Sequence, residues 1–596
     1  MDHVRRTVFI ILALLVLSAA IYAPVRHFGY VKLDDPRYVS EFPRIQNGLS
    51  WANVRWAFTT NYFSNWHPLT WLSYMLDAQM FGVRPGAFHV VNVILHAINA
   101  ALLFLLLDSL THRKWPSALV AAIFAAHPMH VESVAWIAER KDVLSTAFLF
   151  AAILAYVRYA RTPNHRARAL WYALTLVSFM LSLSAKAMGV TLPALLLLLD
   201  YWPLGRLRMG GAIVAPDSAK LMGPVETPQW LVLEKAPLII ASILVSAVAA
   251  AAQRAGGSVI SIVSLSVWQR VGNAIIAYFL YIAKLVIPTN LAVFYPHPGT
   301  RPLDQIAAAA ILLVLLTLLI VRARRNRPYL IVGWLWFLIS LLPVLGLMQI
   351  GEQAMADRYT YVPSVGLFIM LVWGVLDLGG LFQRRKSSVI VQKASNPWLG
   401  RTMIVLGTGW VLVLGLLARR QVGYWRDDET LFRHALAVTG EDNWLAQFRV
   451  AADLAERHET VEAIRHLGLS IQSNPDYAKA YNNLGCILYQ GNSQAAVPLF
   501  EKAVELEPRN TSFRANLGLA LAKSGDDTKA VEMLRHALAQ DPASPEVNTD
   551  FANVLRGRKD FNRARQYYEA ALRADPNYAP AREGLKQLIA AEAAAS

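Results

Sequence analysis

The chain has 596 residues, 55% of them hydrophobic and only 16% charged, with a mean hydropathy of +0.35. A composition this apolar excludes an ordinary water-soluble enzyme and predicts a polytopic membrane protein. The net charge of +16 is unevenly distributed: residues 1–420 carry 37 Lys and Arg against 17 Asp and Glu, and residues 421–596 carry 20 against 24. The basic surplus lies in short loops between apolar runs, where it sets membrane orientation, so no nucleic-acid partner is expected.

In chain order, the start Met1-Asp-His-Val-Arg-Arg6 precedes an apolar stretch without a small-residue cleavage site, which predicts a retained first span. Basic clusters at Arg5-Arg6, 112–114, 158–168, Arg206-Arg208, 322–327 and 384–386 mark the cytoplasmic side. They place the segments 25–88, 126–142, 184–188 and 350–359 on the opposite face. A last span near 402–418 then delivers everything after Arg420 to that face. Segments 235–253 and 271–287 both look membrane-embedded, but counting both as spans would invert every later loop. The expectation is therefore 11 spans, with one of the two broken, re-entrant or interfacial.

The outer segments hold the residues that could carry chemistry. The first loop presents Asp34-Asp35 just beyond the first span, where a carboxylate could deprotonate an acceptor hydroxyl at the membrane surface; adjacent Asp residues before Pro also make a common turn. The same loop collects Trp51, Trp56, Tyr62, Trp66 and Trp71 around His67, as interfacial amphipathic helices do, or as a sugar-stacking site would. In 127–142, His127, His130 and Glu132 read as hydrogen-bonding members of a polar site more than as metal ligands, since no H-E-x-x-H pattern is present. No metal site is expected, and a divalent cation is left open as a cofactor. Arg140 and Lys141 suit a phosphate, or they pair with Glu139 and Asp142 at the interface. Lys186, between two apolar runs, needs a cavity or a partner. Glu352, Asp357 and Arg358 come to the same face, and the convergence of these separate segments is what points to a site.

Beyond residue 440, Pro475, Pro508, Pro542 and Pro576 are 33, 34 and 34 residues apart, the tetratricopeptide (TPR) period. Leu484-Gly485, Leu517-Gly518 and Phe551-Ala552 share a register, as do Ala496, Ala530 and Ala564. A weaker first unit spans 444–475, a closing helix follows residue 577, and the unit of 33 lacks one residue in its inter-helix turn. The lone Cys486 excludes intrachain disulfides and reads as a small core residue. Together these features predict an all-α chain: a transmembrane bundle over 1–420, a connector over 421–443, and a TPR solenoid over 444–596 whose concave face can hold a protein or peptide.

The strings Asn65-Trp-His-Pro-Leu-Thr70, 89–96 (HVVNVILH), His127-Pro-Met-His-Val-Glu-Ser133, Arg140-Lys-Asp-Val-Leu144 and Asp357-Arg-Tyr-Thr-Tyr-Val-Pro-Ser364, followed by TPR repeats, resemble bacterial polytopic TPR membrane proteins. More distantly, they resemble the transmembrane-and-TPR O-mannosyltransferases of the GT-C glycosyltransferase superfamily. The resemblance implies an inverting enzyme that moves mannose or another hexose from a polyprenyl-phosphate donor to a protein hydroxyl. It places the acidic motif on Asp34, as general base, and Asp35; an Arg-x-Asp motif on Arg140 and Asp142; and a third motif on Arg358, Tyr359, Tyr361 and Pro363, with Arg358 toward the donor phosphate. The chain departs from that pattern at Lys186-Ala187, where the relatives have Lys-Glu, and at His67, where they tend to have Arg. The expected location is a bacterial inner membrane, with the N-terminus cytoplasmic and the TPR arm outside. The competing readings are a membrane-anchored TPR scaffold and a transporter.

Overall fold

The computed structural model describes residues 2–207, 225–256, 265–349, 351–378 and 397–595, and it divides into two compact units, Met1–His434 and Ala435–Ser596. Both are helical. Strand is confined, among the described residues, to Tyr295–Pro296 paired antiparallel with Gln353–Met355, apart from one isolated bridge between Leu207 and Glu226.

Among the described residues, the first unit contains seven helices long and apolar enough to cross a membrane: His3–His27, Pro85–Thr111, Ile137–Arg161, His165–Ala185, Ala236–Ala255, Leu303–Ala323 and Thr402–Gly423. Lys114–Ala126 and Pro128–Ala135 form an eighth, bent by 56°, and Ala187–Tyr201, Pro328–Val344 and Ser364–Leu378 are shorter apolar helices. Of the two ambiguous segments, the first matches Ala236–Ala255. The second lies in Val267–Val286, a helix equally long but amphipathic, with Arg270, Asn273 and Lys284 along it and a Ser266/Gln269 capping box at its start. It is not among the candidate spans.

The basic clusters share one end of this unit. Lys114 donates to Thr7, Arg161 donates to the Ser109 carbonyl, and Tyr201 donates to the Arg324 carbonyl. Arg206 departs from the expectation of an exposed anchor: it is fully buried and paired with Asp200 at 3.0 Å and Glu234 at 2.8 Å. Lys235 completes the network on the same two acids, and the Tyr156 hydroxyl lies among all four. Arg208 and the cluster 384–386 lie outside the described residues.

Breaks in membrane helices free main-chain carbonyls that lipid cannot satisfy. Helix Pro85–Thr111 answers them with a buried polar stripe at helical spacing. Asn92 donates to the Trp136 carbonyl and Asn99 to that of Val143, while His89 and His96 bond the carbonyls of Gly29 and Ala125. Elsewhere two helices meet backbone to backbone: a Cβ at Gly333 would lie 2.3 Å from the Gly366 carbonyl oxygen, and one at Gly366 would lie 2.2 Å from that of Gly333.

The second unit is four helix pairs and a closing helix: Trp444–Glu456 with Thr460–Ser473, Ala478–Gly491 with Ser493–Leu506, Thr511–Lys523 with Asp527–Gln540, Pro545–Gly557 with Phe561–Ala574, then Ala579–Ala595. The small residues sit where helices touch: Ala496, Ala530, Ala552 and Ala564 are wholly buried, and a Cβ at Gly485 would meet Phe500 at 2.8 Å. The 33-residue unit turns through Asn492 alone, whereas its neighbours use the three residues Ser524–Asp526 and Arg558–Asp560; its first helix, Ala478–Gly491, is one residue longer than theirs, so the unit as a whole is one residue short. Cys486 is exposed and is not a core residue, because it follows the packed Gly485 by one position, about 100° around the helix, and contacts the amides of Asn482 and Asn516.

Candidate functional site

At the end of the first unit opposite the basic clusters, the chain breaks helix repeatedly between 127 and 139. Short 3-10 turns at Pro128–His130 and Ile137–Glu139 flank Val131–Ala135, and each break turns charged side chains inward. Helix Arg140–Arg161 then starts with Arg140, Lys141 and Asp142 in its first turn. Lys186 follows the end of His165–Ala185 in extended backbone, and Arg358 lies on the single turn Asp357–Thr360.

Three of the four expected phosphate-binding cations meet. Lys141 lies 3.0 Å from one Glu139 oxygen and Arg358 Nε 3.3 Å from the same atom, while Lys186 is 3.4 Å from the other. Lys186 also pairs with Asp142, and Arg358 pairs with Glu132, whose second oxygen accepts the Arg358 main-chain N–H at 2.9 Å. The three acids Glu132, Glu139 and Asp142 are sealed, with side chains 3–4% exposed, whereas the three cations reach the surface at 13–16%. Arg358 is held above its ordinary range against the effect of burial, chiefly by Glu132.

Arg140 does not join them. It is fully buried and turned the other way, paired with Asp77 at 2.7 Å and bonded to Asn92, Ser73 and the Phe88 carbonyl, so its donors are committed to fixing helix Pro68–Phe81 against Pro85–Thr111. Successive positions at a helix start point about 100° apart, which separates Arg140 from Lys141.

The acidic pair also divides. Asp35 is fully buried and accepts main-chain N–H groups from Val31 at 2.8 Å and Ala138 at 2.9 Å, tying the first loop to the turn that carries Glu139. Burial pushes its carboxyl up to about 8 against the pull of those two N–H groups. Asp34 is only partly buried, and its carbonyl accepts from Tyr38 N–H at 3.1 Å. The Tyr38 ring lies under Lys141, with the ammonium 5.1 Å from its centroid, and is stacked near His67 and Trp71. His67 is 3% exposed, its Nε2 has no hydrogen-bond partner, and burial, followed by the Lys141 charge, holds it well below its ordinary value. The loop aromatics divide: Trp51 is 84% exposed, while Trp71 is wholly buried in a cluster with Tyr38, Trp56 and Tyr62.

Other expected site residues serve as struts. His127 bonds the Leu285 carbonyl, and His130 bonds the Phe124 carbonyl and Ser364. Tyr361 bonds His96 and Asn99. Tyr359 accepts from Gln353 and lies against Arg358. Asp357 points away from Arg358 and accepts the Tyr295 hydroxyl proton at 3.0 Å, with burial pushing it up to about 8. Glu352 adjoins the strand pair, its carbonyl accepting from His297 N–H. Among the described residues no three His, Cys, Asp or Glu side chains are grouped as metal ligands. The sequence does not single out Glu139 or Tyr38: Glu139 reads there only as a counter-charge to Arg140 and Lys141, and no role attaches to Tyr38.

This combination defines a class, a membrane-embedded helical protein with a cationic site at one end of its first unit and a TPR unit following in the chain. Residues 53–254 match the dolichyl-phosphate-mannose-protein mannosyltransferase family, and residues 487–549 and 545–578 match tetratricopeptide repeat families. Human protein O-mannosyl-transferase TMTC1 is 25% identical over 501 residues, covering 76% of this chain and 54% of its own. Human protein O-mannosyl-transferase TMTC4 is 26% identical over 453 residues, covering 67% and 57%. Mouse protein O-mannosyl-transferase TMTC2 is 32% identical over 146 residues, 24% of this chain and 18% of that one. The chain thus joins a segment that matches the mannosyltransferase family to TPR repeats, in line with the resemblance in its motifs, and it spans little more than half the length of the relatives it matches most extensively. Among solved structures, YrrB, a TPR protein with an unusual peptide-binding site, is 18% identical with a TM-score of 0.24, over 26% of this chain and 81% of that one.

Proposed function

We propose that the chain is an inverting GT-C-type glycosyltransferase that moves mannose or another hexose from a polyprenyl-phosphate donor to a protein hydroxyl. The observation that carries this reading is the asymmetry of the ionic cluster: its acids are sealed and its three cations face outward. A site built this way offers Arg358, Lys141 and Lys186 to an anion while Glu139 keeps them in register. The leaving lipid phosphate gains charge as the glycosidic bond breaks, so cations fixed beside it favour the transition state over the bound donor. Asp34, partly open and next to the Tyr38–Lys141 column, takes the acceptor proton; Asp35, its oxygens committed to backbone, holds the loop in place. The family match over residues 53–254 and the mannosyltransferase relatives support the sugar chemistry. The repeats would present the acceptor, on the extracytoplasmic side of a bacterial inner membrane.

The test is transfer from radiolabelled polyprenyl-phosphate hexoses to a membrane-protein extract by the purified full chain, with Asp34→Ala and Arg358→Ala alongside. Asp34→Ala is expected to lose roughly 10²–10⁴-fold in rate with an unchanged melting temperature. Wild-type transfer by Asp34→Ala would remove that residue from the reaction. No transfer by the unaltered chain with any donor would favour a membrane-anchored TPR scaffold.

A further inference from the structure

A second cationic group lies on the same end of the first unit, outside the cluster above. The amphipathic helix Val267–Val286 and the segment 297–301 are stitched together by Gln269 donating to Thr300 at 3.0 Å and by Arg301 donating to Asn273 at 3.2 Å. Asn273 is itself anchored by donating to the Ala354 carbonyl at 2.8 Å, and Arg270, 5% exposed, is fixed by its bond to the Leu265 carbonyl. His297 is held by its main-chain N–H on the Glu352 carbonyl.

Two buried donors in this group lack an acceptor. His297 Nδ1 accepts the Gly299 N–H at 3.0 Å, so the proton of the neutral ring belongs on Nε2, and Nε2 is buried without a partner. Arg301 Nε–H is likewise buried and unpartnered. Burial depresses the Arg301 guanidinium with no carboxylate offsetting it, and the His297 ring is lowered to about 4 by burial and then by Arg301 and Arg270. Orphaned N–H groups beside the Arg301 charge need an acceptor that is also negative.

The surroundings indicate where that acceptor comes from. Arg301 lies two residues before helix Leu303–Ala323, a candidate span whose most apolar window is only 6% buried by protein, so Arg301 sits at the level of lipid headgroups. Leu303 is 79% exposed and Trp268, beside Arg270, is 83% exposed, as residues that dip into a bilayer surface are. We propose that Arg270, Arg301 and His297 form a second anion site that takes the phosphate of a lipid headgroup, with the Arg301 fork and His297 Nε2 as donors and Trp268 inserted alongside. The site is independent of the sugar chemistry and would persist if the chain transferred nothing.

The experiment uses the full chain in vesicles of phosphatidylcholine with increasing fractions of acyl-brominated phosphatidylglycerol, following quenching of tryptophan emission, with Trp268→Phe defining the Trp268 share. The Trp268 component is expected to reach half-quenching at a low phosphatidylglycerol fraction, and Arg301→Gln is expected to raise that fraction about tenfold. Arg301→Lys keeps the charge without the fork and is expected to fall between the two, which guards against a folding defect in the first variant. Equal titration curves for wild type, Arg301→Gln and Arg301→Lys would overturn the proposal. A shift of Trp268 emission by inorganic phosphate in pure phosphatidylcholine vesicles, abolished by Arg301→Gln, with no preference for phosphatidylglycerol, would overturn the lipid as its source and retain free phosphate.

Discussion

Two buried ionic networks stand at the two ends of the same helices. Helix Arg140–Arg161 contributes Asp142 to one and, 14 residues on, Tyr156 to the other, about 21 Å away. The segment from Lys186 through Ala187–Tyr201 repeats the arrangement with Lys186 and Asp200. At the basic end, Arg206 and Lys235 face Asp200 and Glu234, two against two, and no member has a side chain more than 3% exposed. At the site end, three acids and three cations also balance, but the cations are open. Balance alone therefore does not identify a function. A network closed to solvent can only hold helices together, while one whose cations reach the surface can exchange a carboxylate for another anion.

Substitutions should separate the two. Arg206→Ala leaves Asp200 and Glu234 to share Lys235 as their one cation in the interior, and removing one partner of a buried network typically costs about 3–5 kcal/mol. A large drop in melting temperature is expected, with donor affinity unchanged in the protein that remains folded; an unchanged melting temperature would show that the basic-end network is not the strut described. Glu139→Gln acts on the open network and should do less to stability. With one carboxylate fewer among three cations, the donor KM is expected to fall about three- to tenfold, and inhibition by polyprenyl phosphate to tighten to a similar degree. A raised KM would mean that Glu139 is needed more to position the cations than it competes for them.

A third effect is a pH slope. Asp357 has a folded value near 8 against an ordinary 3.8, so the native state keeps a proton that the unfolded chain has lost between those values. Stability from this group should fall as pH rises from about 4 to about 8 and level off above. Asp357→Asn should flatten that slope by a few degrees of melting temperature across the interval, as read from unfolding curves at successive pH values. A slope unaffected by the substitution would place the ionisation elsewhere.

Much of this was legible in the sequence because periodicity and polarity in apolar surroundings both survive without coordinates. The proline spacing pointed to the TPR unit and to a shortened inter-helix turn in its 33-residue repeat. Charged residues interrupting apolar runs pointed to the segments that supply Asp35, Glu132, Lys186 and Arg358. What was not legible depended on direction. Arg140 and Lys141 are neighbours of the same charge, and only the break at Ile137–Glu139 sends one toward Asp77 and the other toward Glu139. Arg206 has the composition of a loop anchor, and its acids lie 6 residues before it and 28 after it. Glu139 carries no signal of its own, because its importance lies in the three cations it touches, which come from three segments of the chain.

The close contact of Gly333 with Gly366 reaches further than helix packing. Gly366 lies eight residues after Arg358, in the first turn of the helix that follows it, so a change in the distance between those two backbones is expected to shift the guanidinium within the cluster. A methyl group at either glycine would have to move its neighbour by about 1 Å to relieve a contact near 2.3 Å, and displacements of that size between a fixed charge and a reacting group can cost about 10²-fold in rate. The two missing side chains act as a depth gauge for an arginine that neither of them touches.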